Sequence, residues 1–418
     1  MLAGEGTALF SVSVCDGYIV GVDTHRPEGS FDRVVNASGC LMTPGLVNAH
    51  THAAMTIFRG YGEDLPLDRW LNERIFPAEE RLTDEAVYLA TRLSIAEMLR
   101  AGITSFSDMY FFCDAAARAV AECGIKANLS RSVVSFDDTA DYSRDARVRE
   151  GIELFRAWNG AEEGRIRVDL SLHAEYTNKA RAVRTVAEAA KELGTRVQIH
   201  LSETEKEHAE CLVRNGVTPT EFFERNGLFE VPVVAAHGVY LTEGDRDILS
   251  QARATVVHNP ISNLKLGSGI MPLVDTLSSG VNVALGTDGV ASNNRLDVLR
   301  EMQTALLLAK GTTRRPDCLT AMDALALATE NGARAQGRDD CGRIAPGYRA
   351  DLVLWNLGEL HNLPVVTPEA ALAYSATSRD ACLVAVDGRI LYENGEFCTM
   401  DVERMKGEFA AMRAKYFD

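Results

Sequence analysis

The chain has 418 residues, of which 46% are hydrophobic and 24% charged, and its nine cysteines include no Cys-x-x-Cys pair. This composition is typical of a globular protein with a large core, and widely spaced cysteines favour a reducing cytoplasm over a disulfide scaffold or a thiolate metal site. The net charge of -16 is spread along the chain, which argues against nucleic acid or an anionic membrane as the main partner, because both require basic patches.

Both ends of the chain carry short strand patterns. Residues 8–14 and 18–22 are β-rich, and residues 351–356 and 382–396 repeat the pattern near the other end. We predict that the two ends form one small β-sandwich together and that residues from Asp401 onward form a closing helix. The N-terminus has no basic leader and no apolar run approaches the about 20 residues of a membrane span, so we expect a cytoplasmic protein.

The middle of the chain alternates strands with helices. Apolar, β-branched runs begin near residues 45, 103, 125, 166, 196, 233, 255 and 281. Helical stretches such as 83–101, with Thr83 as its N-cap, separate most of them. Eight such units over roughly 300 residues predict a (β/α)8 barrel, an α/β fold of the TIM type. The predicted division is 1–44 and 343–418 for the sandwich and closing helix, and 45–342 for the barrel.

A doubly wound open sheet is the alternative architecture. That fold usually carries a glycine-rich phosphate turn directly after its first strand. The segment NAHTHAAM follows the first strand here and is not such a turn. The barrel is therefore the favoured prediction.

Titratable side chains stand where the predicted barrel strands end. The stretch GLVNAHTH ends the first strand with His50 and His52, which face the same way because alternate strand residues share a face. The other seven strand ends carry, in chain order, Asp108, Arg131, His173, His200 with Glu203 just beyond it, His237, His258 and Asp288. Because the carboxyl ends of barrel strands converge on one mouth, six histidines there favour a functional site over core histidines.

Part of this set matches a catalytic metal site. A catalytic zinc typically takes three protein ligands and a water, and sometimes becomes five-coordinate. Three imidazoles and one carboxylate are available: His50, His52, His200 and Asp288. Glu203 is a candidate proton shuttle, and His237 is a candidate hydrogen-bond partner of the attacking water. Taken alone, Asp288 is better explained as part of an Asp-Gly turn, and Glu203 as an exposed acid in SETEKE.

Six segments of the sequence resemble the amidohydrolase superfamily. They follow the family's order over about residues 36–396 and read MTPGLVNAHTH, IHLSET, AAHGVYL, HNPISNLKLGSGI, LGTDGVASNN and GRIAPGYRADLVLWN. Within the superfamily the chain most resembles the 5-methylthioadenosine/S-adenosylhomocysteine deaminases, through FRGYGEDLPLDRWL, TSFSDMYFF and SNLKLGSG. The resemblance implies a distorted barrel with a sandwich made from both termini, in agreement with the strand pattern.

The resemblance also implies the chemistry of the site. It implies a single Zn2+ on the four side chains named above, and Fe2+ or Mn2+ are alternative ions. One metal rather than two is expected because Arg131 and His173 stand where two-metal relatives carry a bridging lysine or acid. Water activated by the metal would attack C6 of an adenine ring. Glu203 would bind and protonate the neighbouring ring nitrogen, His237 would steer the water, and Asp288 would pass a proton to the leaving ammonia.

Substrate contacts follow from the same resemblance. Trp70 and Glu79 match a family tryptophan and a glutamate that binds the ribose hydroxyls. Arg131, Arg147 and His173 match positions that hold the nucleoside or a homocysteine carboxylate. Without the resemblance, Trp70 is equally well explained as a core anchor and Arg147 as a surface arginine.

Two features near the predicted pocket carry further expectations. Glu175, in HAEYTN, replaces a proline of the family pattern. We expect this extra carboxylate near the pocket to repel or reposition a substrate carboxylate. Residues 53–82 form a long segment after the first strand, and we expect them to act as a lid over the mouth.

The leading hypothesis is a zinc-dependent deaminase of a purine nucleoside such as 5'-methylthioadenosine, S-adenosylhomocysteine or adenosine, with the oligomeric state left open. The near alternative is another aminohydrolase of the superfamily, acting on guanine, oxidised purine or triazine rings. Trp70 with Glu79 discriminates between them, because a free base has no ribose. A dead metal-binding scaffold would not need Glu203 and His237, and a nucleotide-binding oxidoreductase would carry a glycine fingerprint that is missing here.

Overall fold

The centre of the molecule is a barrel of eight parallel strands. The computed structural model describes residues 2–3, 6–7, 10–136 and 145–417. The barrel strands are Leu46–Thr51, Ile103–Tyr110, Lys126–Val133, Ile166–Leu172, Val197–Leu201, Val233–His237, Thr255–His258 and Asn282–Leu285. Each strand pairs in parallel with the next along the chain, so all eight carboxyl ends lie at one mouth. The predicted (β/α)8 barrel is confirmed.

Contacts between the first and last strands close the barrel. The side-chain amide of Asn48 donates to Thr287 Oγ1 at 2.8 Å, and its oxygen accepts from the Thr287 backbone N–H at 2.9 Å. The backbone N–H of Asp288 donates to the His50 carbonyl at 3.1 Å. These bonds hold the two strand ends side by side, and so they bring His50 and Asp288 together from opposite ends of the barrel sequence.

Helices surround the barrel and form the connections at its mouth. The α-helices are Leu67–Trp70, Phe76–Glu79, Asp84–Arg100, Cys113–Cys123, Ala146–Trp158, Ala180–Leu193, Glu205–Asn215, Pro219–Arg225, Glu243–Gln251, Pro260–Lys265, Leu273–Ser278, Val290–Asn293, Val298–Thr313, Ala321–Ala328, Glu330–Ala335, Pro368–Tyr374 and Val402–Phe417. Shorter 3-10 turns lie at Ala53–Phe58, Glu162–Gly164, Glu175–Thr177, Leu228–Glu230, Leu360–Asn362 and Ser378–Asp380, and a π-helical turn at Leu71–Ile75.

Capping at Thr83 shows how the sequence sets a helix boundary. Thr83 Oγ1 accepts a hydrogen bond from the backbone N–H of Ala86 at 3.2 Å, which satisfies one of the free donors in the first turn. Gly102 follows the last turn with a φ of +79°, a left-handed conformation that favours glycine. The predicted helix over 83–101 is therefore confirmed. Across the described ranges, none of the helices combines the length and apolarity needed to cross a bilayer.

A second sheet unites the two ends of the chain. Its antiparallel strands are, in spatial order, Glu396–Phe397, Arg389–Glu393, Ala381–Val386, Leu352–Asn356 and Cys40–Pro44. A hairpin of Ser11–Cys15 and Tyr18–Asp23 packs Ile19 against Leu352, and Leu2–Ala3 pairs with Gly6–Thr7. The ends of the chain thus meet as predicted, while residues 8 and 9 of the first predicted strand lie outside the described residues.

Candidate active site

Four side chains converge at the mouth of the barrel in the arrangement of a metal site. The set consists of His50, His52, His200 and Asp288, and one nitrogen or oxygen of each lies within 4.8 Å of the others. Asp288 Oδ1 is 3.5 Å from His50 Nε2 and 3.2 Å from His52 Nε2, and His200 Nε2 is 3.3 Å from His52 Nε2. All four side chains are at least four-fifths buried, so their polar atoms face one another rather than solvent.

Hydrogen bonds to backbone carbonyls orient two of these imidazoles. His52 Nδ1 lies 2.6 Å from the Met109 carbonyl, and His200 Nδ1 lies 2.7 Å from the His173 carbonyl. Because a carbonyl only accepts, both Nδ1 atoms carry a proton, and both Nε2 atoms are directed into the cluster. The buried Nε2 of His50 makes no hydrogen bond. Three nitrogen donors and a carboxylate fit Zn2+ or a similar divalent ion.

The carboxylate of Asp288 is fixed by two serine hydroxyls. Ser262 Oγ donates to Asp288 Oδ2 at 2.7 Å, and Ser292 Oγ donates to the same oxygen at 2.6 Å. The Oδ1 atom is thereby left facing the imidazoles. Burial would raise the pKa of Asp288, but the adjacent His50 and His52 hold it well below its ordinary value, so the carboxyl is ionised. The residue has a φ of +58°, a strained conformation of the kind found at functional sites.

Glu203 and His237 stand beside the metal cluster. Glu203 Oε2 is 3.8 Å from His237 Nε2, and both side chains line the same cavity. Burial raises the pKa of Glu203, and the nearby imidazole of His237 opposes part of that rise. His237 Nδ1 lies 2.8 Å from Asn263 Oδ1, so Nδ1 carries a proton and Nε2 faces the cavity. A buried carboxyl group whose pKa is raised can hold and release a proton beside the substrate, which suits acid–base catalysis.

The cavity beside these groups is largely apolar. It encloses about 660 Å³ of non-atom space, its open mouth included, which is within the range of small-molecule sites, roughly 300–1,000 Å³. One side of it comes from a single helical segment: Leu67, Trp70, Leu71, Ile75, Phe76 and Glu79. The one other lining residue from 53–82 is Met55, which belongs to the fully buried turn Ala53–Phe58. A lid role is therefore a proposal for Leu67–Glu79 alone.

Two predicted substrate-binding residues present polar atoms to this cavity. Tyr110 Oη donates to Glu79 Oε1 at 2.7 Å, and burial raises the pKa of Glu79 to about 7. His173 Nδ1 is 3.0 Å from Thr177 Oγ1, whose own proton goes to the Ala174 carbonyl. His173 therefore donates from Nδ1 and turns Nε2 toward the cavity. Burial lowers its pKa to about 4, which keeps the imidazole neutral.

Three other predicted residues lie outside the lining. Arg131 Nε binds Glu150 Oε2 at 2.6 Å on the outer helix, and the guanidinium stacks 5.0 Å from the Phe111 ring. Arg147 is exposed and donates to the Val134 carbonyl at 2.7 Å. His258 ends the seventh barrel strand, but it is 1% exposed and does not line the cavity. His50 does not line it either, so four of the six strand-end histidines face the cavity: His52, His173, His200 and His237.

The expectation about Glu175 is wrong. Its side chain is only 3% exposed and does not line the cavity. Glu175 Oε2 accepts from Arg214 at 2.6 Å, and Oε1 accepts from Asn215 Nδ2 at 2.6 Å. Arg214, on the helix that follows the next barrel strand, pairs with this carboxylate. Glu175 is therefore not available to repel a substrate carboxylate.

Several residues that shape the site were missed at the level of sequence. They are Tyr110, Ser262, Asn263 and Ser292. Ser262 and Asn263 belong to HNPISNLKLGSGI, and Ser292 to LGTDGVASNN, so the motifs place them near the mouth. Which atom each side chain contacts depends on loop geometry beyond the strand ends, and no periodic pattern encodes that.

A parallel barrel with four convergent metal-ligating side chains and a buried acid at its mouth defines the class of metal-dependent barrel hydrolases. The sequence pattern of the amidohydrolase family matches residues 41–391. The chain belongs to the amidohydrolase family, as its motifs predicted.

Three individual proteins show which members of the family this chain is similar to. The chain is 44% identical over 399 residues to the 5-methylthioadenosine/S-adenosylhomocysteine deaminase of Acetivibrio thermocellus, covering 94% of this chain and 92% of that protein. It is 44% identical over 396 residues to the 5'-deoxyadenosine deaminase of Methanothermobacter thermautotrophicus, covering 95% and 92%. The crystal structure of an adenosine deaminase from Xanthomonas campestris with bound zinc superposes with a TM-score of 0.93 at 34% identity, covering 98% of this chain and 94% of that one.

Proposed function

We propose that the protein is a metal-dependent hydrolase that converts the adenine ring of a nucleoside to hypoxanthine and releases ammonia. Its substrates are 5'-methylthioadenosine, S-adenosylhomocysteine or adenosine. The observation that carries the proposal is the buried Glu203, which faces His237 at the edge of a four-ligand metal cluster. The deaminases among the relatives support the same reaction.

The metal is proposed to be one Zn2+ per chain, held by His50, His52, His200 and Asp288, with Fe2+ or Mn2+ accepting the same donors. When bound, such an ion lowers the pKa of a coordinated water to about 7 and makes a nucleophile available at neutral pH. The protonated Nδ1 atoms of His52 and His200 support this assignment, because they leave both Nε2 atoms free to ligate.

The remaining groups of the site manage the protons of the reaction. Water supplies two protons, one for the ring and one for the leaving amine. Glu203 carries one proton to the ring nitrogen beside C6, which makes C6 more electrophilic. His237 accepts a hydrogen bond from the attacking water through Nε2 and so aims it at C6. Asp288 passes the second proton to the amine, which leaves as ammonia while the ring becomes hypoxanthine.

Trp70, Glu79 and His173 are proposed to hold the nucleoside. The bond from Tyr110 occupies Glu79 Oε1 and leaves Oε2 to accept the ribose hydroxyls. The apolar wall around Trp70 suits the faces of the ring and a 5' substituent. This pairing favours a nucleoside over a free base.

The experiment is ultraviolet-monitored turnover by zinc-loaded protein of 5'-methylthioadenosine, S-adenosylhomocysteine, adenosine and guanine in parallel. Glu203→Gln serves as the catalytic control, since it keeps the shape of the side chain and removes the acid. We expect turnover of the adenine nucleosides that is lost in the variant. Turnover of guanine alone would retain the metal site but overturn the ribose-binding role of Glu79.

We also propose that the enzyme acts in the cytoplasm on a free small-molecule nucleoside. The nine cysteines support this placement, because all of them are unpaired and several are buried.

A further inference from the structure

Glu207 is a buried carboxylate that the proposed chemistry does not use. It is 5% exposed and lies in the first turn of the helix Glu205–Asn215. Its Oε1 accepts from the Ser202 backbone N–H at 3.1 Å, and its Oε2 accepts from the Glu203 backbone N–H at 2.7 Å. Both oxygens therefore bind the backbone just after the fifth barrel strand, at Ser202 and at Glu203, the proposed proton shuttle.

This arrangement differs from ordinary helix capping. In the following helix, Pro219–Arg225, Glu221 holds the same third position and accepts from the N-cap backbone N–H of Thr218 at 2.9 Å. Glu207 instead reaches past its N-cap, Thr204, to the two residues before it. The chain thus supplies a matched pair of glutamates, one directed at the active site and one only at its own helix.

The segment that Glu207 binds, residues 202–203, is bent and is hydrogen-bonded on its other side as well. Ser202 has a φ of +47°, so the chain turns sharply just before Glu203. The Ser202 carbonyl accepts from the backbone N–H groups of Val239 and Tyr240, both at 3.0 Å. These two residues follow His237, whose strand end is paired with Leu201. The bend therefore ties the backbone of Glu203 to the segment that carries its partner His237.

We propose that Glu207 is a positioning residue that sets the direction of the Glu203 carboxyl group relative to His237 and the metal cluster, an inference that rests on the proposed function of Glu203. With both carboxylate oxygens occupied, Glu207 satisfies two backbone donors of the bend and fixes the backbone from which the Glu203 side chain extends into the cavity. Catalysis depends steeply on such placement, because a shift of about 1 Å in a reacting group can cost about 100-fold in rate.

The variant that tests this proposal is Glu207→Gln, with Glu221→Gln as the matched control. Glutamine keeps one acceptor oxygen but places an amide N–H opposite a backbone N–H. One of the two hydrogen bonds that Glu207 accepts from Ser202 and Glu203 is therefore lost. We expect kcat to fall about 10- to 100-fold, with KM, bound metal and melting temperature close to those of Glu221→Gln. An equal kcat in the two variants, or a parallel loss of metal and folding in Glu207→Gln, would overturn the proposal.

A double-substitution cycle separates positioning from a general structural effect. If Glu207 acts through Glu203, Glu207→Gln lowers kcat strongly in the parent protein but less than about 2-fold in the Glu203→Gln background. The same fold loss in both backgrounds contradicts a role through Glu203. Turnover by the parent protein distinguishes failure of this proposal from failure of the proposed function. If the parent deaminates no adenine nucleoside, the proposed function fails. Normal turnover in both the parent and Glu207→Gln refutes only the role of Glu207.

Discussion

Removing the hydroxyl of Ser262 tests whether the serines around Asp288 build a metal site. Ser262 Oγ donates to Asp288 Oδ2 at 2.7 Å, and the residue is fully buried in the helix Pro260–Lys265. Ser262→Ala deletes this bond and leaves Ser292 as the remaining donor to the same oxygen. The carboxylate is then held by one hydroxyl instead of two and is less firmly directed at the imidazoles, so the variant should bind the metal more weakly.

The size of the effect follows from the type of bond. A hydrogen bond to a buried charged group is worth about 1.5–3 kcal/mol, which corresponds to roughly 10- to 150-fold in a binding constant. Groups that orient metal ligands typically change metal affinity by about 10- to 100-fold when they are removed. We therefore expect Ser262→Ala to bind Zn2+ about 10- to 100-fold more weakly than the parent protein.

Competition with a chelator measures this change in affinity. Ser130→Ala is the control, because Ser130 is equally buried in a barrel strand but donates to the Asp108 carbonyl at 2.9 Å rather than to a side chain of the cluster. The control should retain the parent affinity. Unchanged zinc affinity in Ser262→Ala, or an equal loss in both variants, would refute the reasoning about Asp288.

Three further predictions follow from the site and its surroundings. Glu203→Gln should lower kcat at least about 100-fold while zinc content stays constant, and retention of a tenth of the activity would exclude Glu203 as the shuttle. Glu79→Gln should lower kcat/KM about 10- to 100-fold for adenosine but much less for 2',3'-dideoxyadenosine, and equal losses would contradict ribose binding. Burial raises the pKa of Glu301 to about 8, so the folded state keeps a proton that the unfolded state loses above about pH 4.5. The free energy of unfolding should therefore fall more steeply from about pH 5 to 8 in the parent than in Glu301→Gln, and parallel curves from denaturant titrations would disprove this.

The barrel and its metal cluster were predictable because the repeated alternation of strands and helices, and the point where each strand ends, can be recognised in the sequence. Parallel strands that are buried on both faces appear as continuous apolar runs, and their ends are marked by the first polar residues. His50, His200 and Asp288 occupy such ends, so the barrel topology alone brings them to one mouth. The buried state of Glu203 was less evident, since its acidic neighbours in SETEKE favour solvent exposure.

The side-chain directions beyond the strand ends could not be predicted in the same way. Ser132 and Val134 line the cavity, and the alternation of a strand places Arg131 on the opposite side. A one-residue uncertainty in the strand end is therefore enough to misplace that arginine. Glu175 was misjudged for a different reason: its partners, Arg214 and Asn215, come from another helix, and sequence separation hides the pairing.

Ammonia release from 5'-methylthioadenosine is the most direct test of the central claim. The measurement compares zinc-reconstituted protein with chelator-stripped protein, and follows ammonia and the adenine-to-hypoxanthine absorbance change together. We expect one ammonia for each nucleoside converted, loss of turnover on stripping and its recovery when zinc is restored. Protein that binds zinc at His50, His52, His200 and Asp288 but releases no ammonia from any adenine nucleoside would contradict the account.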